Sequence, residues 1–238
     1  MNLIGFSTGA LALADFERAL EMDRALPTNA IELSALRDSE LPRLLEALPQ
    51  LDLSKYHYVS IHAPSKFRSM SEEEVVERLQ PWAESGYPII VHPDTIADYV
   101  LWRGLGSSVC IENMDGRKPF GNDVQQLTEV FKHLPEATFC LDVAHPRILD
   151  PTLRNAAQML TVFHDRLREI HISELDHNFA HRPMTQKAAQ DYKRLLAGYA
   201  VDVPLIIESM VKVTGAEREV TSVEWVTQHD VSRRRATG

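Results

Sequence analysis

The residues best suited to chemistry stand at the ends of short apolar runs. Val59-Ser60-Ile61 stops on His62, Ile89-Ile90-Val91 on His92 and Val109-Cys110-Ile111 on Glu112. Phe139-Cys140-Leu141 stops on Asp142, Ile170 on His171 and Leu205-Ile206-Ile207 on Glu208. Each run is too short and too β-rich for a helix and reads as a buried strand. Taken singly, a histidine or carboxylate at a strand end is an ordinary hydrogen-bonded residue or helix cap. Six on six strands resist that explanation, because burying so much unpaired polarity is costly. Imidazoles and carboxylates together suit zinc, manganese, iron or cobalt, and a shared carboxylate can hold two such ions about 3.5–4 Å apart. His145, three residues beyond Asp142, and His181, in the long segment 173–185, could reach the same opening. Glu32, near another strand end, is divided between a pocket wall and a helix cap.

Strand-like and helix-like stretches alternate throughout. Strands are expected over 3–7, 30–33, 58–62, 89–92, 109–112, 138–142, 168–172 and 204–208. The intervening stretches carry apolar residues at spacings of three and four, as Leu41, Leu44, Leu45 and Leu48 do. Helix starts are marked by Ser71 before three glutamates, by Asn122-Asp123 and by Pro151. The last two helices are expected over about 185–198 and 217–228. Eight strands alternating with helices predict a closed parallel (β/α)8 TIM barrel spanning 1–238 as a single domain. In such a barrel the carboxyl ends of the strands meet at one rim, which gathers the six residues. No glycine-rich dinucleotide motif or phosphate-loop lysine is present to support an open nucleotide-binding sheet.

Composition narrows the partners. The 238 residues carry a formal charge of −9, which disfavours a broad nucleic-acid surface. No stretch approaches the roughly 18 apolar residues of a membrane span. The amino terminus lacks the charged flank of a secretory leader. Cys110 and Cys140 lie inside apolar runs, as expected of buried free thiols in a reducing, cytoplasmic compartment. The basic end, 232–238, reads as a solvated tail.

The chain resembles the xylose-isomerase-like barrel superfamily, and within it the endonuclease IV branch. The resemblance rests on Ser60-Ile61-His62-Ala63-Pro64, Val91-His92, Ile111-Glu112-Asn113, Leu141-Asp142-Val143-Ala144-His145, Ile170-His171-Ile172, His181 with Pro183, and Ile207-Glu208. It implies one metal site of His62, His92 and Glu112, and a second of Glu112, Asp142, His171 and Glu208, with zinc or manganese the expected divalent ion. A third site would use His145 and His181, but Phe179 stands where a metal-binding aspartate is expected. Asp176 and His177 are the substitutes that the same loop offers.

Two reaction classes fit. Phosphoester hydrolysis on a small or non-duplex substrate is favoured by the retained His62 and His92, with Lys66, Arg68 and Arg182 as candidate phosphate contacts. Sugar or sugar-phosphate isomerisation or epimerisation needs only the second group, with Glu112 and Glu208 as bases on carbon. His145 is a candidate hydrogen-bonding or acid–base residue facing substrate. A metal-binding barrel without activity is the non-catalytic alternative.

Overall fold

Alternation along the strands decides the architecture. The computed structural model describes residues 2–199 and 201–228; the expected basic tail lies outside them. The barrel strands are β1 (Ile4–Ser7), β2 (Ala30–Ser34), β3 (Tyr58–His62), β4 (Ile89–Val91), β5 (Val109–Glu112), β6 (Thr138–Asp142) and β7 (Leu167–Ile172). A two-stranded hairpin, β8 (Glu174–Leu175) and β9 (His181–Arg182), precedes the last, β10 (Leu205–Ile207). Order β1-β10-β7-β6-β5-β4-β3-β2 closes an eight-stranded barrel, every pairing parallel. A parallel sheet closed on itself and wrapped in helices is the expected TIM barrel.

One set of alternate residues, including Ile31, Leu33, Ile61, Ile89, Val91, Ile111, Leu141, Ile170 and Ile207, packs outward against the helices in the main core. The other set points inward. Its apolar part is a small separate cluster of Ile90, Cys110 and Cys140, with both thiols free. Most of the remaining inward set is polar: Ser7, Glu32, Ser34, Ser60, His62, Glu112, Asp142, Glu169 and His171 are all buried. This barrel therefore stores its stability in the outer layer and its chemistry inside.

Gly5 shows how tight the closure is. It pairs with Ala30, and a Cβ at Gly5 would lie 1.8 Å from the Ala30 carbonyl oxygen. Gly5→Ala must part β1 from β2, so denaturant unfolding is expected to register a loss of about 3 kcal/mol or more. An unchanged midpoint would contradict the register.

The surrounding helices start largely where their caps predict. Asp15, Ser71, Asp98, Asp123 and Thr185 each accept a backbone N–H from the first turn, and Ser71 with Glu74 completes a capping box. Pro151 does not open a helix: Leu153 takes a left-handed conformation (φ 57°), and the helix runs Arg154–Phe163. The final helix begins earlier than its periodicity suggested, at Val213, and ends at Thr227. Two short helices at the carboxyl-end rim, Thr8–Ala12 and Ala144–Leu149, and the β8–β9 hairpin have too little periodicity to be visible in sequence.

The loop after β3 is held from beneath. Asp38 Oδ2 accepts the backbone N–H groups of Arg68, Ser69 and Met70 at 2.5, 2.5 and 2.9 Å. Burial opposes the charge, but these amides hold the Asp38 carboxyl well below the usual carboxylate range. A depressed folded-state value means the clamp stabilises fully above about pH 4 and is lost as pH falls through that lowered range. Asp38→Asn is therefore expected to cost about 2 kcal/mol at pH 7. The gap in melting temperature from the parent should narrow on acidification below about pH 4, and a gap independent of pH would refute the clamp.

Candidate metal centre

The carboxyl rim brings together the six sequence-distant residues. Glu112, at the end of β5, is central. Its Oε2 lies 3.2 Å from His62 Nε2 and 3.0 Å from His92 Nε2, while its Oε1 lies 3.5 Å from His171 Nδ1 and 3.6 Å from His145 Nδ1. Among the described residues four groups can each present ligand atoms within 4.8 Å of one another: His62–His92–Glu112, Glu112–Asp142–His171–Glu208, Asp142–His145–His181 and, deeper in the barrel, Cys140–Glu169–His171. The first two are the expected sets.

In the third, Asp142 joins His145 and His181. Asp176 does not substitute, because its carboxylate is taken up by Arg182 and by the amides of Asn178 and Ala180. Nor does His177, which is exposed and hydrogen-bonded to Asn178.

The donors are aimed before any ion arrives. Asp142 Oδ1 accepts the N–H groups of Ala144 and His145, both at 2.7 Å, leaving Oδ2 buried without a partner. Asn113 braces this corner: its side-chain amide donates to the Asp142 carbonyl, and its side-chain oxygen accepts the Asp142 N–H. Its backbone carbonyl accepts His145 Nδ1–H at 2.7 Å, which leaves His145 Nε2 for the cavity. His62 Nδ1 likewise donates to the Ala63 carbonyl at 2.7 Å. His181 Nδ1 is hydrogen-bonded to Ser173 Oγ at 2.8 Å.

His171 is oriented from inside the barrel. Its Nε2 lies 2.9 Å from Glu169 and 3.0 Å from Glu32, while Nδ1, buried and without a hydrogen-bond partner, faces Glu112 and Glu208 at 3.5 Å. Carboxylates behind a histidine fix the tautomer that leaves the other nitrogen free for a metal. Glu32 is thus neither helix cap nor pocket wall, but a buttress of His171. Glu169 was missed, although its place two residues before His171 on one strand puts both on the inner face. Buried polar atoms left unpartnered among the described residues on Asp142 and His171, inside a set of imidazoles and carboxylates, fit a divalent ion of the zinc or manganese type.

Charges in the site compensate one another. Burial would depress His62, but Glu32 and Glu112 raise it to about 9. Burial would raise Glu32, but His171 and His62 bring it to about 2. Glu112 is lowered well below the ordinary carboxylate range by His171 and His92, against its burial. Glu208 moves the opposite way, raised by burial and by Glu112 and Asp142 despite His171. Burial brings His181 down to about 4.

Above these groups opens a cavity of about 630 Å³, lined by His62, His92, Glu112, His145, His181 and Glu208, among others. Lys66 lines it, but Arg68 and Arg182 do not. The loop of Arg68 is turned down onto Asp38, and Arg182 is spent on Asp176. The cations that sequence reasoning overlooked are Arg117 and Lys118, from the loop after β5. Segment 173–185 forms one wall: β8 and β9 pair, Arg147 bonds Glu174, and Tyr192 donates to the Ser173 carbonyl.

No family model and no curated protein matches the sequence. Solved structures share the fold. A xylose isomerase domain protein from Alicyclobacillus acidocaldarius superposes with a TM-score of 0.65 over 95% of this chain and 98% of its own, at 12% identity. The IolI protein, solved with a zinc atom, gives 0.61 over 94% and 96%, at 12% identity. An L-ribulose 3-epimerase gives 0.56 over 93% and 86%, at 15% identity. At such identities the likeness shows the fold alone, a closed (β/α)8 barrel. No helix among the described residues is long and apolar enough to cross a membrane.

Proposed function

We propose that this chain is a metal-dependent isomerase or epimerase of a small sugar or sugar derivative. The placing of Glu112 and Glu208 carries this reading. The two carboxylates come from barrel positions separated by β6 and β7, approach His171 Nδ1 at 3.5 Å each, and line one cavity. A divalent ion held by Glu112, Asp142, His171 and Glu208 would polarise neighbouring substrate oxygens and so acidify the C–H between them. Glu112 is the candidate to take that proton, and Glu208, on the other side of His171, is the candidate to return a proton to carbon. Return on the opposite face inverts one centre, whereas return to the adjacent carbon moves the carbonyl. A cavity of about 630 Å³ has the size of a small-molecule site. The L-ribulose 3-epimerase among the structural neighbours supports the same class.

A second reading, hydrolysis of a small phosphoester, is supported by the His62–His92–Glu112 group, since two ions sharing a carboxylate suit in-line displacement at phosphorus. Elemental analysis of protein purified without chelator, followed by parallel assays, separates the two. The isomerase reading expects exchange of solvent deuterium into a ketose, aldose or keto-glycoside of an NMR-screened panel. Turnover of phosphodiesters by a two-ion protein, without any such exchange, would replace it with hydrolysis.

A further inference from the structure

The loop after β5 carries an arginine that the reaction outlined above leaves unused. Arg117 is joined to Asp115 by a two-pronged pair, Nε to Oδ1 at 3.0 Å and Nη2 to Oδ2 at 2.6 Å, and its own backbone N–H donates to Oδ1 at 2.8 Å. Asp115 is only 2% exposed. On its flat side the guanidinium lies 4.8 Å from the centre of the Phe179 ring. Phe179 sits between β8 and β9 with φ at 60°, a left-handed conformation uncommon for an aromatic residue. One edge and one face of the guanidinium are therefore fixed. Nη1 makes no hydrogen bond among the described residues, the side chain remains half exposed, and the residue lines the cavity.

A planar donor group so held loses little freedom when it meets a second oxyanion. Its neighbours agree in sign. Lys118, also on the cavity wall, is paired with Asp94 at 2.6 Å, whereas Lys66 forms no ion pair among the described residues. Phe179 thus serves as a platform for a fixed cation, at the position where the resembled branch would place a metal-binding carboxylate.

We infer that Arg117, held by Asp115 and Phe179 and assisted by Lys66, binds an oxyanionic group, a phosphate or a carboxylate, on the part of the substrate remote from the metal ligands. The substrate class becomes a sugar phosphate or sugar acid. That last step rests on the isomerase–epimerase reading; the anion site itself does not.

Calorimetric titration of inorganic phosphate and of threonate into the EDTA-treated, metal-free protein tests it without any assay of turnover. Binding of either ion with a dissociation constant below about 10 mM is expected, weakened about tenfold or more in Arg117→Ala. Phosphate alone, or threonate alone, identifies the oxyanion. Arg117→Lys keeps a charge beside buried Asp115 and so protects the fold, and is expected to weaken binding several-fold through loss of the fork. Arg182→Ala, which removes a cation outside the cavity, should bind as the parent does. Failure of the parent to bind either ion, or equal binding by the parent and both Arg117 variants, overturns the inference. If anion binding follows Arg117 while no sugar isomerises, the site stands and the proposed reaction falls.

Discussion

Glu112→Gln is expected to bind less than about one-tenth of the parent's metal under matched conditions and to lose activity by about a thousandfold or more. The reason is geometric. One carboxylate serves two ligand groups, with Oε2 toward His62 and His92 and Oε1 toward His171. The amide keeps the volume but offers a donor where an anion is needed, so three imidazoles lose their common partner. Glutamine is the better test than alanine, because alanine removes the same charge and also leaves a buried cavity costing about 2–5 kcal/mol, which would confuse unfolding with loss of the site. Elemental analysis and a melting curve separate the two effects. Full metal content and full activity in a folded Glu112→Gln protein would dismiss the proposed centre.

Glu208→Gln is the second large effect, and it discriminates between reactions. A group that returns a proton to carbon contributes about 10²–10⁴ in rate. The variant is expected to lose kcat by that factor while KM changes little, and to stop exchanging solvent deuterium into substrate. His171 should remain held by Glu32 and Glu169 at 3.0 and 2.9 Å. Because Glu208 is also a ligand of the proposed ion, metal content is measured alongside, and loss of exchange at the parent's metal content reports on proton transfer. Were Glu208→Gln to exchange deuterium at the parent's rate, the acid–base role would belong elsewhere, with His145 the next candidate.

Both expectations start from residues that were legible in the sequence. Apolar runs ending on His62, His92, Glu112, Asp142, His171 and Glu208 predict strands and donors together. The reason is that a strand's inward positions recur every second residue and a closed parallel barrel collects its carboxyl ends at one rim. The barrel and its eight strands followed from that pattern, and the resemblance implied two of the ligand groups, His62–His92–Glu112 and Glu112–Asp142–His171–Glu208. The helix after residue 151 was misplaced because Pro151 is equally at home in a turn, and Leu153 takes the left-handed conformation that ends that turn. The segment 173–185 concealed a hairpin because two-residue strands carry no periodicity.

What only tertiary structure decided concerns partners from distant strands. Sequence order says nothing of which distant carboxylate lies behind an imidazole: Glu32 meets His171 only because the inward faces of β2 and β7 look across the barrel, whereas Glu169 is a neighbour on His171's own strand. The cations show the same division. Lys66, Arg68 and Arg182 looked equivalent as loop charges, yet Lys66 lines the cavity, Arg182 is paired with Asp176 outside it, and Arg68 stands outside it on a loop whose backbone is clamped by Asp38. Arg117 had no visible merit until Asp115 and Phe179 closed around it. Strand-end chemistry was determined locally, by residue type and period two. The pairing of charges belonged to the fold, because a charge's role depends on the nearest counter-charge in space, and barrel closure chooses that neighbour.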